Sequence, residues 1–205
     1  MSVVVFLKIF SICLLGAMSP GPSMVVVINN AIFKSRIHGI LTSIGHGVGI
    51  GIYAFFAVLG IAIIIKTNVF VFNGIKFLSI VFLIYLGVRS IMTSDSRLDF
   101  DVKDLDGKIT SFFQGLSISL LNPKIFVWFI AIYSQFMSID NDKIFNTCLI
   151  LTASIVDIIW YIALTFLVTS IMAIDFIKNK SKLLNKFVGY IFILIGIFLI
   201  LEFLI

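Results

Sequence analysis

The sequence predicts an all-α integral membrane protein with six transmembrane helices in an inverted 3+3 repeat, helices 1 and 4 broken at proline motifs. Three observations predict it. Of 205 residues, 60% are hydrophobic and 12% charged, whereas a soluble domain averages about 45–50% apolar and roughly 25% charged. Six stretches reach the roughly 20 mostly apolar residues that a bilayer span needs. The chain has three prolines, and they fall at two places, each midway along such a stretch.

The first span, about 5–33, carries no charge from Ile9 to Phe33 and is interrupted by Ser19-Pro20-Gly21-Pro22. Lys8 followed by an apolar run resembles the start of a signal peptide. That run continues past Pro22, so an uncleaved first helix is expected. Proline removes a backbone donor and crowds the preceding turn. A break at bilayer depth persists where it is buried in protein or lines a cavity. The second span, 37–65, places Gly39, Ser43, His46, Gly49, Tyr53, Ala57 and Gly60 on one stripe at 100° per residue. Its Gly45-x-x-x-Gly49 and Gly47-x-x-x-Gly51 pairs read as close-packing surfaces between helices. The third, 67–91, contains Lys76.

A polar segment, 93–108, follows with five aspartates and three basic residues. Its Asp99–Gly107 run lacks EF-hand spacing and the terminal Glu, so a solvated linker is expected. The fourth span, 109–139, is interrupted at Asn122-Pro123-Lys124. The fifth, 143–174, carries Asp157 and aligns Thr147, Ser154, Asp157, Tyr161 and Thr165 on one stripe. The sixth, 186–205, contains Glu202.

Ten Lys and Arg residues follow spans 1, 3 and 5, against four on the other side. Basic loops stay cytoplasmic, so both termini are expected outside. The net charge of +5 therefore reflects orientation, and no basic-aromatic face points to nucleic acid. Lys76-Phe77-Leu78-Ser79-Ile80-Val81-Phe82 echoes Lys186-Phe187-Val188-Gly189-Tyr190-Ile191-Phe192. Tyr53 and Tyr161 occupy similar places, as do the proline breaks. Duplicating a unit of three spans turns the second copy upside down. One domain, 1–205, is expected, with repeat 1 about 1–92, a cytoplasmic linker about 93–108 and repeat 2 about 109–205.

Midpoints of spans 1, 4 and 5 fall at Gly21, Lys124 and within two residues of Asp157. A lone charge at that depth costs about 2.5–3.5 kcal/mol on insertion scales. Lys124 and Asp157 are therefore expected to pair or to share a hydrated cavity. The positive end of a half-helix starting at Gly21-Pro22, with Lys124, suits a carboxylate. Asp157 and freed carbonyls suit an ammonium or a proton, so a zwitterion fits. His46 reads either as a proton relay or as a group satisfied by a nearby backbone or hydroxyl partner. Trp128 and Trp160 read as packing or as cavity wall. The candidate substrate and coupling residues are Pro20, Gly21, Pro22, Asn122, Pro123, Lys124, Asp157, His46, Tyr53 and Tyr161. Cys13 and Cys148 lie in separate spans without CxxC pairing and read as small hydrophobes, away from the breaks. No nucleophile-base set, metal cluster or cofactor motif is present in the sequence.

Taken in order, Ser19-Pro20-Gly21-Pro22, Gly39, Gly45, Gly49, Tyr85-Leu86-Gly87, Leu121-Asn122-Pro123-Lys124, Gln135-Phe136, Val156-Asp157 and Asn185-Lys186-Phe187-x-Gly189 span essentially the whole chain. Together they resemble the LysE/RhtB family of bacterial amino-acid exporters. The resemblance implies a multi-pass protein of the inner membrane that exports amino acids or related metabolites by proton antiport. Ser23, Ser35 and His46 depart from the family pattern and bear on substrate identity. An exporter of metal or other small ions, a passive channel and a membrane thiol–disulfide carrier are the alternative readings. The sequence leaves open which amino acid is carried and whether copies of the chain assemble.

Overall fold

The computed structural model describes residues 3–19, 21–92, 107–138, 143–170 and 173–204. Pro20 and the segment 93–106, with nearly all of the aspartate run, lie outside the described residues. The order is α1 (Val3–Met18), α2 (Pro22–Asn29), a π turn (Asn30–Lys34), α3 (Arg36–Thr67), α4 (Val69–Met92), α5 (Lys108–Leu120), α6 (Pro123–Phe136), α7 (Lys143–Val168) and α8 (Ala173–Leu204). No strand occurs among the described residues.

Helices α3, α4 and α7 are each long and apolar enough to cross a membrane. Helix α1 meets α2 and its π turn at a 68° bend, and α5 meets α6 at 60°. Counting each bent pair as one broken span gives up to five spans, and the molecule is an all-helical, multi-pass membrane protein. Helix α8 begins at Ala173, 13 residues before the expected sixth span, and its apolar part among the described residues is Lys186–Leu201. The fifth span ends at Val168 rather than 174, where Thr169 and Ser170 turn their hydroxyls back onto the Thr165 and Leu167 carbonyls.

The proline motifs do not kink helices from within. Pro22 and Pro123 each occupy the first turn of a second half-helix, where the missing N–H removes no intrahelical bond. Asn122 caps α6, its Oδ1 accepting the Lys124 backbone N–H at 3.0 Å. At the other break the cap is Gly21, which supplies no side-chain bond. The α5 break frees backbone acceptors, and the Tyr53 hydroxyl donates to one of them, the Leu120 carbonyl. Tyr53 thereby holds α3 against the break.

Close helix packing rests on small residues. A Cβ on Gly45 would run into the Phe112 carbonyl, one on Gly115 into the Thr42 carbonyl, and one on Gly47 into Ile158. Contacts advance together along α3 and α5 (Gly45 with Phe112, Gly49 with Ser119), so these helices run parallel. Along α3 and α7 they advance oppositely (Gly39 with Thr165, Gly51 with Ser154), so those run antiparallel. Helices α4 and α8 close at Gly87 and Gly189, where an added Cβ would meet the opposing glycine carbonyl at 2.7 and 2.6 Å.

The main core gathers Ile9, Ile50, Leu83, Phe129, Tyr133, Leu149, Val188 and Phe192. Tyr133 is fully buried, with its hydroxyl donating to the Leu149 carbonyl at 2.8 Å. A second cluster, Met24, Val27, Ile28, Ala31, Tyr161, Leu164 and Val168, joins α2 to α7. Phe55, Phe56, Leu59 and Ile63 on α3, Phe70 and Leu78 on α4, and Ile159 and Phe166 on α7 are exposed. Large apolar side chains turned outward along spanning helices suit contact with acyl chains.

Candidate substrate cavity between the helix breaks

The two breaks meet around one cavity of about 60 Å³. A water needs roughly 10–15 Å³ by this measure, so several fit. Gly16, Ser19, Gly21 and Ser23 border it from the first break, and Asn122 and Lys124 from the second. His46 and Ile50 reach it from α3, and Ala153, Asp157 and Tyr161 from α7. Trp128, Phe129 and Phe192 complete much of an apolar wall.

The charges are held separately. Lys124 Nζ donates to Ser19 Oγ at 2.6 Å, joining the two broken spans directly. Asp157 Oδ2 lies 2.7 Å from His46 Nδ1, and the two side chains are 6% and 2% exposed. The ring of Tyr161 stands edge-on to the imidazole, 4.9 Å between centroids. Lys124 and Asp157 thus share the cavity, as expected, but each has a different nearest partner. His46 is satisfied neither by backbone nor by a hydroxyl; it pairs with the carboxylate. This follows from helix register, since antiparallel α3 and α7 bring positions 46 and 157 level.

Three residues that border the cavity each hold a buried polar atom with no hydrogen-bond partner among the described residues: Ser23 Oγ, His46 Nε2 and Trp128 Nε1. Buried polar groups are nearly always paired, so such atoms call for a water or a ligand. The cavity therefore offers a cation at one break, an anion-bearing dyad at α3 and α7, spare hydrogen-bonding atoms and an apolar wall. That combination suits a small molecule with charges of both signs and an apolar part.

The LysE type translocator family matches residues 14–203. The chain belongs to this family. An uncharacterized membrane protein, YrhP, of Bacillus subtilis (strain 168) is 28% identical over 195 residues, covering 87% of this chain and 90% of the relative. Leucine efflux proteins of Salmonella choleraesuis (strain SC-B67) and Salmonella typhi are each 29% identical over 181 residues, covering 85% of this chain and 84% of theirs. No solved structure matches the chain.

In this LysE type translocator, Gly21, Asn122, Lys124, Asp157, His46 and Tyr161 from the sequence-predicted set border the cavity together. Pro22 and Pro123 start the half-helices beside it, and Tyr53 supports the α5 break from behind. Pro20 lies outside the described residues. Trp128 is cavity wall, whereas Trp160 packs against the α2–α7 cluster. One expectation is corrected: Cys13, read as away from the breaks, borders the cavity, because α1 runs alongside α7 and ends at the break. Cys148 does not border it, and both cysteines are free.

Sequence reasoning missed the lysine anchor at Ser19, although that serine opens the proline motif. It also missed a polar network around Asn30. There Asn30 Nδ2 donates to Thr42 Oγ1 and Gln114 Oε1, each at 2.8 Å, and Thr42 donates to the His38 carbonyl. The signal available was Asn29-Asn30, a polar pair inside an otherwise apolar run.

Proposed function

We propose that this chain is a secondary active exporter of amino acids or closely related metabolites across the bacterial inner membrane, by proton antiport. The observation that carries the reading is the cavity where both broken spans converge, with Lys124 and the His46–Asp157 pair on its wall. Lys124, Ser23 and the uncapped start of α2 bind the substrate carboxylate, as helix N-termini and ammonium groups do. The His46–Asp157 pair serves the substrate ammonium and the coupling proton. Pro22, Asn122 and Pro123 fix the half-helix starts, and Tyr53 and Tyr161 brace the site. Family membership and the leucine efflux relatives support amino-acid export over export of metal or small ions.

Alternating access then comes from two inverted repeats, about 1–92 and 109–205, rocking around the cavity, with both termini outside. Proteoliposomes loaded with radiolabelled leucine, other amino acids or divalent metal ions test the reading. An outside-acid gradient is expected to drive efflux of one or more amino acids. Efflux of metal ions alone, or of amino acids with no response to the gradient, would overturn it.

A further inference from the structure

We propose that His46 Nε2, rather than the Asp157 carboxylate, is the atom at which proton and substrate ammonium replace one another. The inference rests on the export reading above and locates its exchange step. Asp157 Oδ2 lies 2.7 Å from His46 Nδ1; against an ionised carboxylate, Nδ1 carries the hydrogen and donates it. The other nitrogen, Nε2, is then a lone pair on a side chain 2% exposed, bordering the cavity with no partner among the described residues. In this state the dyad carries one net negative charge and accepts an N–H from a bound ammonium. Adding a proton to Nε2 makes the imidazolium, cancels the charge and turns the acceptor into a donor. The ammonium then loses both its hydrogen bond and its electrostatic partner, so the two cations exclude each other.

The surroundings sharpen this exclusion. The titratable groups facing the cavity are Cys13 from α1, Lys124 from α6, and Asp157 and Tyr161 from α7. Among them Asp157 is the single carboxylate, and Lys124 is engaged with Ser19. No second carboxylate among the described residues borders the cavity, so a substrate carrying an additional cationic side chain finds no counter-charge from them. The wall that remains, Ile50, Ile125, Phe129, Ala153 and Phe192, is apolar. The exchange site accordingly selects neutral amino acids with apolar side chains over basic ones. Competition also gives a direction: a proton taken up at Nε2 from the exterior expels the ammonium, and its loss toward the cytoplasm frees Nε2 to bind the next one.

The test is calorimetric binding of leucine and of lysine to the purified protein between pH 5.5 and 8.5, each in two buffers of different ionisation enthalpy. Wild type is expected to bind leucine and release about one proton per amino acid over part of that pH interval, with lysine bound far more weakly. In His46→Asn the amide nitrogen replaces Nδ1 and keeps the Asp157 contact without a titrating Nε2. In His46→Gln the amide replaces Nε2 itself. Both variants, checked for monodispersity, are expected to release no proton on binding leucine. Proton release that persists in either folded variant overturns the assignment to His46 while amino-acid export stands. Preference for lysine overturns the substrate class alone. Absence of binding by any amino acid to wild type overturns the export reading together with this refinement.

Discussion

At His46 and Asp157 the chain buries two ionisable side chains against each other, and removing one leaves the other without a counterpart. Losing one partner of a buried pair costs about 3–5 kcal/mol, while replacing both by apolar residues of similar size is often neutral. His46→Ala and Asp157→Ala are therefore expected to lower the melting temperature in detergent, and the double variant His46→Leu/Asp157→Leu to recover it. All three are expected to lose gradient-driven efflux; a double variant that transports would assign the pair to structure. Lys124→Met, which keeps length and removes charge, is expected to weaken zwitterion binding by about 1.5–3 kcal/mol, roughly ten- to hundredfold, as for a charge-assisted hydrogen bond. Its affinity for an amine lacking the carboxylate is expected to change little. Asp157 and Lys124 were legible in the sequence because a charge amid apolar residues is conspicuous. Their partners were not, since which histidine or serine lies opposite depends on how helices rotate against each other.

Helix ends and helix crossings explain how those residues are held. Both half-helix starts were readable from proline placement, and Asn122 as a cap follows from its position before Pro123. The support given by Tyr53 to the Leu120 carbonyl was not readable, because it joins residues 67 positions apart. Tyr53→Phe leaves that carbonyl without its donor, and a cost of about 1–3 kcal/mol is expected in thermal unfolding. The glycine pattern on α3 was read as a packing surface, and the crossings with α5 and α7 bear that out. Gly45→Leu sets a side chain against the rigid α5 backbone and is expected to abolish recovery of monodisperse protein. Gly60→Ala and Gly74→Ala, where an added Cβ meets open space, are expected to match wild type in the same size-exclusion assay.

Across the whole molecule, composition and span length made the multi-pass helical class legible, and the ordered motifs made the family legible. The full length of the last helix was not readable, because α8 extends through the Lys-rich stretch before 186, where hydropathy falls although helix continues. The proposed orientation, with both termini outside, rests on ten basic residues on one side against four on the other. Cysteines placed one at a time near each terminus, in a background with Cys13 and Cys148 replaced by serine, are expected to react with a membrane-impermeant maleimide in intact spheroplasts. Protection of both would reverse the orientation. The central claim is that one small molecule spans the cavity, its carboxylate toward Lys124 and its ammonium toward the His46–Asp157 pair. Trp128 on that wall reports on it, since the chain has two tryptophans and Trp160→Phe leaves Trp128 alone. Titrating that variant with leucine and with its carboxylate-free amine measures the claim directly. Saturable quenching of Trp128 is expected, with leucine preferred roughly ten- to hundredfold and the preference abolished by Lys124→Met. Equal responses to leucine and the amine, or a preference that survives Lys124→Met, would contradict it.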